Sequence, residues 1–151
     1  MTSTRKSAGI PLLREWGRGV MRYVSSHDPV SWSGWAITWG PVLGVIAVIF
    51  WLSSLSEPFG SEPVWFDEVI GITGHFCEFG LLALAWRWAL MRQWPGLRYP
   101  VWIALALTLL LALGDEFHQN FVPGRFSDPL DVFTDLAGAV TALGFWGKVK
   151  G

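Results

Sequence analysis

Apolar residues gather into four blocks of membrane length, from Ala36 to Leu55, Val69 to Met91, Pro100 to Asn120 and Asp128 to Gly147. Each supplies the ~20 residues that an α-helix needs to cross ~30 Å of hydrocarbon at ~1.5 Å per residue. The last two blocks qualify as spans only if their acidic residues are held inside the protein. The connecting segments run to about a dozen residues or fewer, which predicts antiparallel neighbours. The pattern therefore predicts an all-α fold, a four-transmembrane-helix bundle. It divides the chain into a basic leader (1–35), a membrane domain (36–147) and a short tail (148–151). Within the leader, Pro11 to Val24 repeats arginine at 14, 18 and 22 on one helical face. Such a segment reads either as a short amphipathic helix lying on the inner leaflet or as a disordered basic arm, because Gly17 and Gly19 weaken a helix.

Composition supports lipid as the solvent. Of the 151 residues, 52% are hydrophobic, 11 are Trp and only 15% are charged, against about 25% in soluble proteins. The net charge of -1 gives no reason to expect a nucleic-acid partner. The signs are segregated: Arg5, Lys6, Arg14, Arg18, Arg22, Arg87, Arg92, Arg98, Lys148 and Lys150 fall on one side of the four-span arrangement. Glu57, Glu62, Asp67 and Glu68 fall on the other, with Arg125 as the one basic residue there. The positive-inside rule then predicts cytoplasmic N and C termini and a multi-pass protein of a bacterial cytoplasmic membrane. Trp35, Trp39, Trp86, Trp88, Trp102 and Trp146 near one edge and Trp51 and Trp65 near the other read as interfacial belts, one or two of them serving as core aromatics instead. No removable signal peptide is expected, so the first span directs insertion. The single Cys77, in an apolar run, is expected to be buried, and it forms neither an intramolecular disulfide nor a multi-thiolate metal site.

The polar residues at membrane depth carry the candidate chemistry. His75 and Glu78, three apart on one face, lie ~9 and ~14 Å below the outer surface counted from Val69. Asp115 sits ~8 Å short of that surface, with Glu116, His118 and Gln119 following. Asp131, Asp135 and Gly138 form a stripe on the last helix that also lets a neighbouring helix approach closely. A charged side chain facing lipid costs about 2.5 to 3.5 kcal/mol or more, so these groups are expected to face one another. The predicted pocket opens outward and is lined by His75, Glu78, Asp115, Glu116, Gln119, Asp131 and Asp135. Arg125, on the adjoining loop, would bridge carboxylates or bind phosphate. His118 is expected to point to water at the headgroup level. Three states fit such a cluster: a salt-bridge network centred on Arg125 and histidine, a divalent metal with His75, Glu78 and Asp115 as candidate ligands, or a proton shared between carboxylates. The plain alternative is that the network only locks the helices together. No cofactor is otherwise evident.

The runs GHFCEFGLLAL from Gly74, GDEFHQNFVPGR from Gly114 and DPLDVFTDLAGAVTALG from Asp128 resemble the VanZ-like family of small bacterial membrane proteins. The stretch FWLSSLSEP around Ser53 and Ser54 fits the end of that family's first helix. The likeness covers about Ala36 to Gly147. It implies that the family's motif positions fall on His75, Glu78, Asp115, Glu116, Gln119, Arg125, Asp131, Asp135 and Gly138. The family takes its name from a member associated with teicoplanin resistance, so the resemblance suggests a link to glycopeptide response, though no residue here identifies one.

Three functions follow as expectations. The first is a cell-envelope module binding membrane lipids, by a headgroup or a lipid-linked envelope precursor, with Arg125 on phosphate and the carboxylates on amino or hydroxyl groups. The second is an intramembrane hydrolase or transferase using metal or carboxylate chemistry, because no serine or cysteine nucleophile arrangement is visible. The third is a proton-coupled carrier, disfavoured because Leu84, Ala104, Leu105, Ala142 and Leu143 leave the inner halves of the helices apolar.

Overall fold

The computed structural model describes residues 32–56 and 64–149. These residues form four α-helices: α1 (Trp32–Ser53), α2 (Val64–Gln93), α3 (Pro100–Gln119) and α4 (Pro129–Val149). The predicted leader helix at Pro11 to Val24, and Glu57, Glu62 and Lys150, lie outside the described residues. The chain divides into two units, Met1–Ala36 and Ile37–Gly151, and the contacts that follow belong to the second.

Gly34–Ser53, Glu68–Gln93 and Pro100–Gln119 are long and apolar enough to cross a membrane. Helix α4 has 21 residues, or ~31 Å, but its apolar run is interrupted by Asp131 and Asp135 near its start and Lys148 near its end. Helix α2 begins five residues before Val69, the predicted boundary. Its 30 residues reach ~45 Å, more than a hydrocarbon core requires, which tilt or an emergent first turn accommodates.

Local chemistry sets the helix ends nearest the site. Pro100 opens α3, where a missing N–H costs nothing. Asp128 caps α4: its Oδ1 accepts from the Leu130 N–H at 2.8 Å, and Pro129 follows it as the first helical residue. Between α3 and α4, the Arg125 N–H donates to the Val122 carbonyl at 3.1 Å. Pro123 and Gly124 occupy the centre of this turn, and Gly124 takes a φ of 81°, the left-handed value that a turn with proline before glycine requires.

Helix α2 is the hub. Its closest partner is α4, where small residues meet: a Cβ on Gly138 would overlap the Phe76 carbonyl oxygen and lie 2.9 Å from the Phe76 carbonyl carbon. Gly80 meets the Gly138 carbonyl in the next turn. Position numbers rise together along this seam (His75 with Asp135, Phe76 with Gly138, Gly80 with Ala142), so α2 and α4 run parallel. Helix α1 lies antiparallel to α2 and packs through bulky side chains, Val42 and Ile49 against Phe79 and Leu82. At the other end of that seam the Trp39 ring meets Trp86 edge-on at 6.0 Å. These two tryptophans therefore serve as interhelical packing rather than as an interfacial belt. A second cluster joins Ala83 and Leu90 to Ala104 of α3 and Ala139 and Leu143 of α4.

The distribution of polarity is inverted relative to a water-soluble protein. Trp102, Leu110 and Phe145 stand about two-thirds exposed (70%, 66% and 71%), while Asp115, Gln119 and Asp135 are buried at 1%, 1% and 0%. Apolar outside and ionisable inside is the arrangement that lipid demands. Cys77, expected to be buried, is instead exposed on the outward side of α2. The helix is rotated to turn Phe79, Leu82 and Ala83 inward on the side that carries His75, and Cys77, two residues from His75, falls on the opposite side.

Candidate functional site

Three helices deliver polar side chains to one end of the bundle, the end where α1 and α3 finish and α4 begins. At its centre the His75 Nδ1 and Asp135 Oδ1 lie 3.0 Å apart, joining α2 to α4. The imidazole stacks on the Phe79 ring one turn on, with centroids 6.2 Å apart and planes 2° from parallel. The Gly138–Phe76 contact sets this pairing, because it fixes the register of α4 against α2 just below the two side chains.

Helix α3 brings Asp115, Glu116 and Gln119. The Gln119 side-chain amide donates to Asp115 Oδ2 at 3.0 Å and to Glu116 Oε1 at 3.5 Å, holding the two carboxyl groups from one turn away. Glu116 is committed further: its Oε2 accepts the Asp128 N–H at 2.7 Å and ties α3 to the start of α4. That bond makes Glu116 an anchor for the loop. Glu78 and Asp131 are half-buried and make no ion pair among the described residues, yet they share the field of the same histidine and of Asp115.

Arg125 stands apart from the predicted salt-bridge network. Its Nε donates to the Leu55 carbonyl at 3.1 Å, fastening the loop to the end of α1. It feels Asp131 electrostatically without contacting a carboxylate among the described residues. Among the described residues the ion pair is His75–Asp135, so the histidine half of the predicted network forms and the Arg125 half does not. The turn at Pro123 and Gly124 explains this, since it aims the arginine backbone toward α1. His118 stays at a partly exposed position and there meets α1: its Nε2 lies 3.0 Å from the Ser54 Oγ and its ring packs against Phe50. Ser54, the Leu55 carbonyl and Phe79 are participants that sequence spacing did not single out. Asp128 was legible in principle, as an aspartate directly before a proline and an apolar helix.

Two oxygens remain without partners. Asp115 Oδ1 and Asp135 Oδ2 are buried and accept no hydrogen bond. A buried carboxylate oxygen in that condition loses its solvation with no return, so it calls for a donor from outside the described side chains. Among the described residues no three His, Cys, Asp or Glu side chains gather as metal ligands. The candidate trio His75, Glu78 and Asp115 is thus not drawn into such a set.

A helical bundle with an apolar exterior and a histidine–carboxylate cluster between its helices defines a membrane-embedded protein. The family model of VanZ/LLP1 matches residues 29–149, most of the chain, and the protein belongs to that family. No curated protein and no solved structure matches it.

Proposed function

We propose that the protein is a four-span module of a bacterial cytoplasmic membrane, both termini cytoplasmic, whose polar pocket faces outward and binds a lipid headgroup or the head of a lipid-linked envelope precursor. Segregation of basic residues to the end where α2 finishes supports the orientation. The insulation of Asp131 and Asp135 by α2 and α3 supports a fourth span, since neither aspartate needs to face lipid. The observation that carries the reading is the pair of buried, unpartnered oxygens on Asp115 and Asp135, one from each of two helices. They suit a ligand with ammonium or hydroxyl donors, such as an aminated headgroup or a sugar. The remaining N–H groups of Arg125, at the mouth, suit the adjoining phosphate. A link to glycopeptide response belongs to this reading only in so far as such a ligand is an envelope precursor.

The test is lipid retention by protein in nanodiscs. Wild-type protein is expected to bind an aminated or polyprenyl-linked lipid about tenfold more tightly than the Asp115→Asn variant, the difference that one charge-assisted hydrogen bond commands. Equal affinity of the two, or no affinity of the wild type for any anionic, aminated or polyprenyl-linked lipid, would contradict it.

One observation favours a second reading. Asp135 holds His75 by one ring nitrogen and leaves the other for acid–base work, as an orienting carboxylate does for a catalytic histidine. An intramembrane hydrolase or transferase, with a carboxylate or a divalent metal activating water, would use that arrangement. Headgroup release over time in the same nanodiscs, abolished by His75→Gln or by chelation, separates it from simple binding.

A further inference from the structure

At the opposite end of the bundle, α1, α2 and α4 enclose a groove of about 470 Å³ whose walls include Pro41, Ala85, Arg87, Trp88, Arg92 and Trp146. Its lining is mostly apolar, and its volume falls within the ~300–1,000 Å³ of small-molecule sites. Two cations line it with no carboxylate nearby among the described residues, because residues 37–53, 79–114 and 136–149 contain neither Asp nor Glu. Arg92 is partly satisfied: its Nε donates to Thr38 Oγ1 at 3.2 Å, and its guanidinium lies 5.6 Å from the Trp88 ring centroid. Arg87 is not. Its Nε is buried without a hydrogen-bond partner, and it takes part in no ion pair among the described residues.

A guanidinium half-buried against apolar walls requires an anion, and phosphate oxygens match its fork of donors. At the edge of a membrane, beside Trp88 and Trp146, the abundant phosphate is that of a lipid. We propose that this groove seats one anionic glycerophospholipid, with its phosphate on Arg87 and its apolar chain along the wall formed by Pro41, Ala85 and Met91. Arg92, pinned by Thr38, adds charge at the rim. Free phosphate would use the cation but leave the apolar wall unfilled. This site is separate from the acidic pocket and does not depend on what that pocket binds.

The test is a titration of the delipidated full-length chain in detergent, followed by native mass spectrometry. One phosphatidylglycerol is expected to bind about tenfold more tightly than phosphatidylcholine, the difference set by uncancelled lipid charge at a guanidinium. Arg87→Gln is expected to abolish that preference and Arg87→Lys to keep part of it. Ala85→Leu, which fills the groove without altering charge, is expected to weaken both lipids. Glu68→Gln, an exposed charge change at the far end of α2 and outside both sites, is expected to leave the preference intact. Three results would overturn the proposal: an Arg87→Gln protein that still prefers phosphatidylglycerol, displacement of the lipid by equimolar inorganic phosphate, or a wild-type chain that takes up no lipid and instead pairs with a second copy.

Discussion

Gly138→Val is expected to be among the most damaging single substitutions in the bundle, lowering unfolding stability by about 3 kcal/mol, the upper part of the range for overpacking. A side chain at Gly138 meets the backbone of Phe76 rather than the flexible end of a side chain, with the Phe76 carbonyl carbon 2.9 Å from the new Cβ. Relief requires α4 to move away from α2, and that movement also separates His75 from Asp135. The neighbouring glycines provide a graded comparison. A Cβ on Gly80 would lie 3.3 Å from the Gly138 carbonyl oxygen, so Gly80→Ala is expected to cost about 1 kcal/mol. Gly144 has nothing within 4 Å, and Gly144→Ala should be neutral or slightly stabilising through helix propensity. Denaturation midpoints in mixed micelles, measured for the three variants, check this order.

The second large effect is expected at the His75–Asp135 pair. His75→Ala leaves Asp135, fully buried, with both carboxyl oxygens unpartnered, and breaking a buried pair in this way costs about 3 to 5 kcal/mol. The net worth of the intact pair is much smaller. Interhelical polar contacts in membrane proteins average ~0.6 kcal/mol by double-mutant cycles, because the separated helices find other partners. Replacing both residues with apolar ones, His75→Phe with Asp135→Leu, is therefore expected to lose only about 1 kcal/mol, with Phe79 offering the new ring a packing surface. The double variant should be more stable than the His75→Ala single. A double variant less stable than the single would mean that the pair itself drives assembly.

The contrast between these sites bears on what could be read from the chain beforehand. The four helices were legible because three of them are the long apolar runs that membrane crossing needs, and the ends of α3 and α4 because Pro100 and the Asp128–Pro129 pair mark first turns. The membership of the polar cluster was legible because three- and four-residue spacings place His75 with Glu78, Asp115 with Gln119 and Asp131 with Asp135 on single helix faces. Pairing across helices was not. Whether His75 meets Asp135 or Asp115 depends on the register that Gly138 and Phe76 impose, and register is a property of two helices' backbones together. Arg125 was a reasonable partner for carboxylates by charge alone, but the turn at Gly124 sends it to a main-chain carbonyl, an acceptor present at every residue. Cys77 is a different case: the apolar run around it suggested burial, but two residues from His75 it lies on the side of α2 away from the polar face.

Solvent access at the acidic end is the most direct measurement. In a Cys77→Ser background, Asp131→Cys should react with a membrane-impermeant maleimide added to intact cells, while Arg92→Cys should react only once the membrane is opened. If the thiol at 131 is reached only from the cytoplasmic side, or only by a lipid-soluble reagent, then the carboxylate cluster does not form an outward-facing, water-filled site.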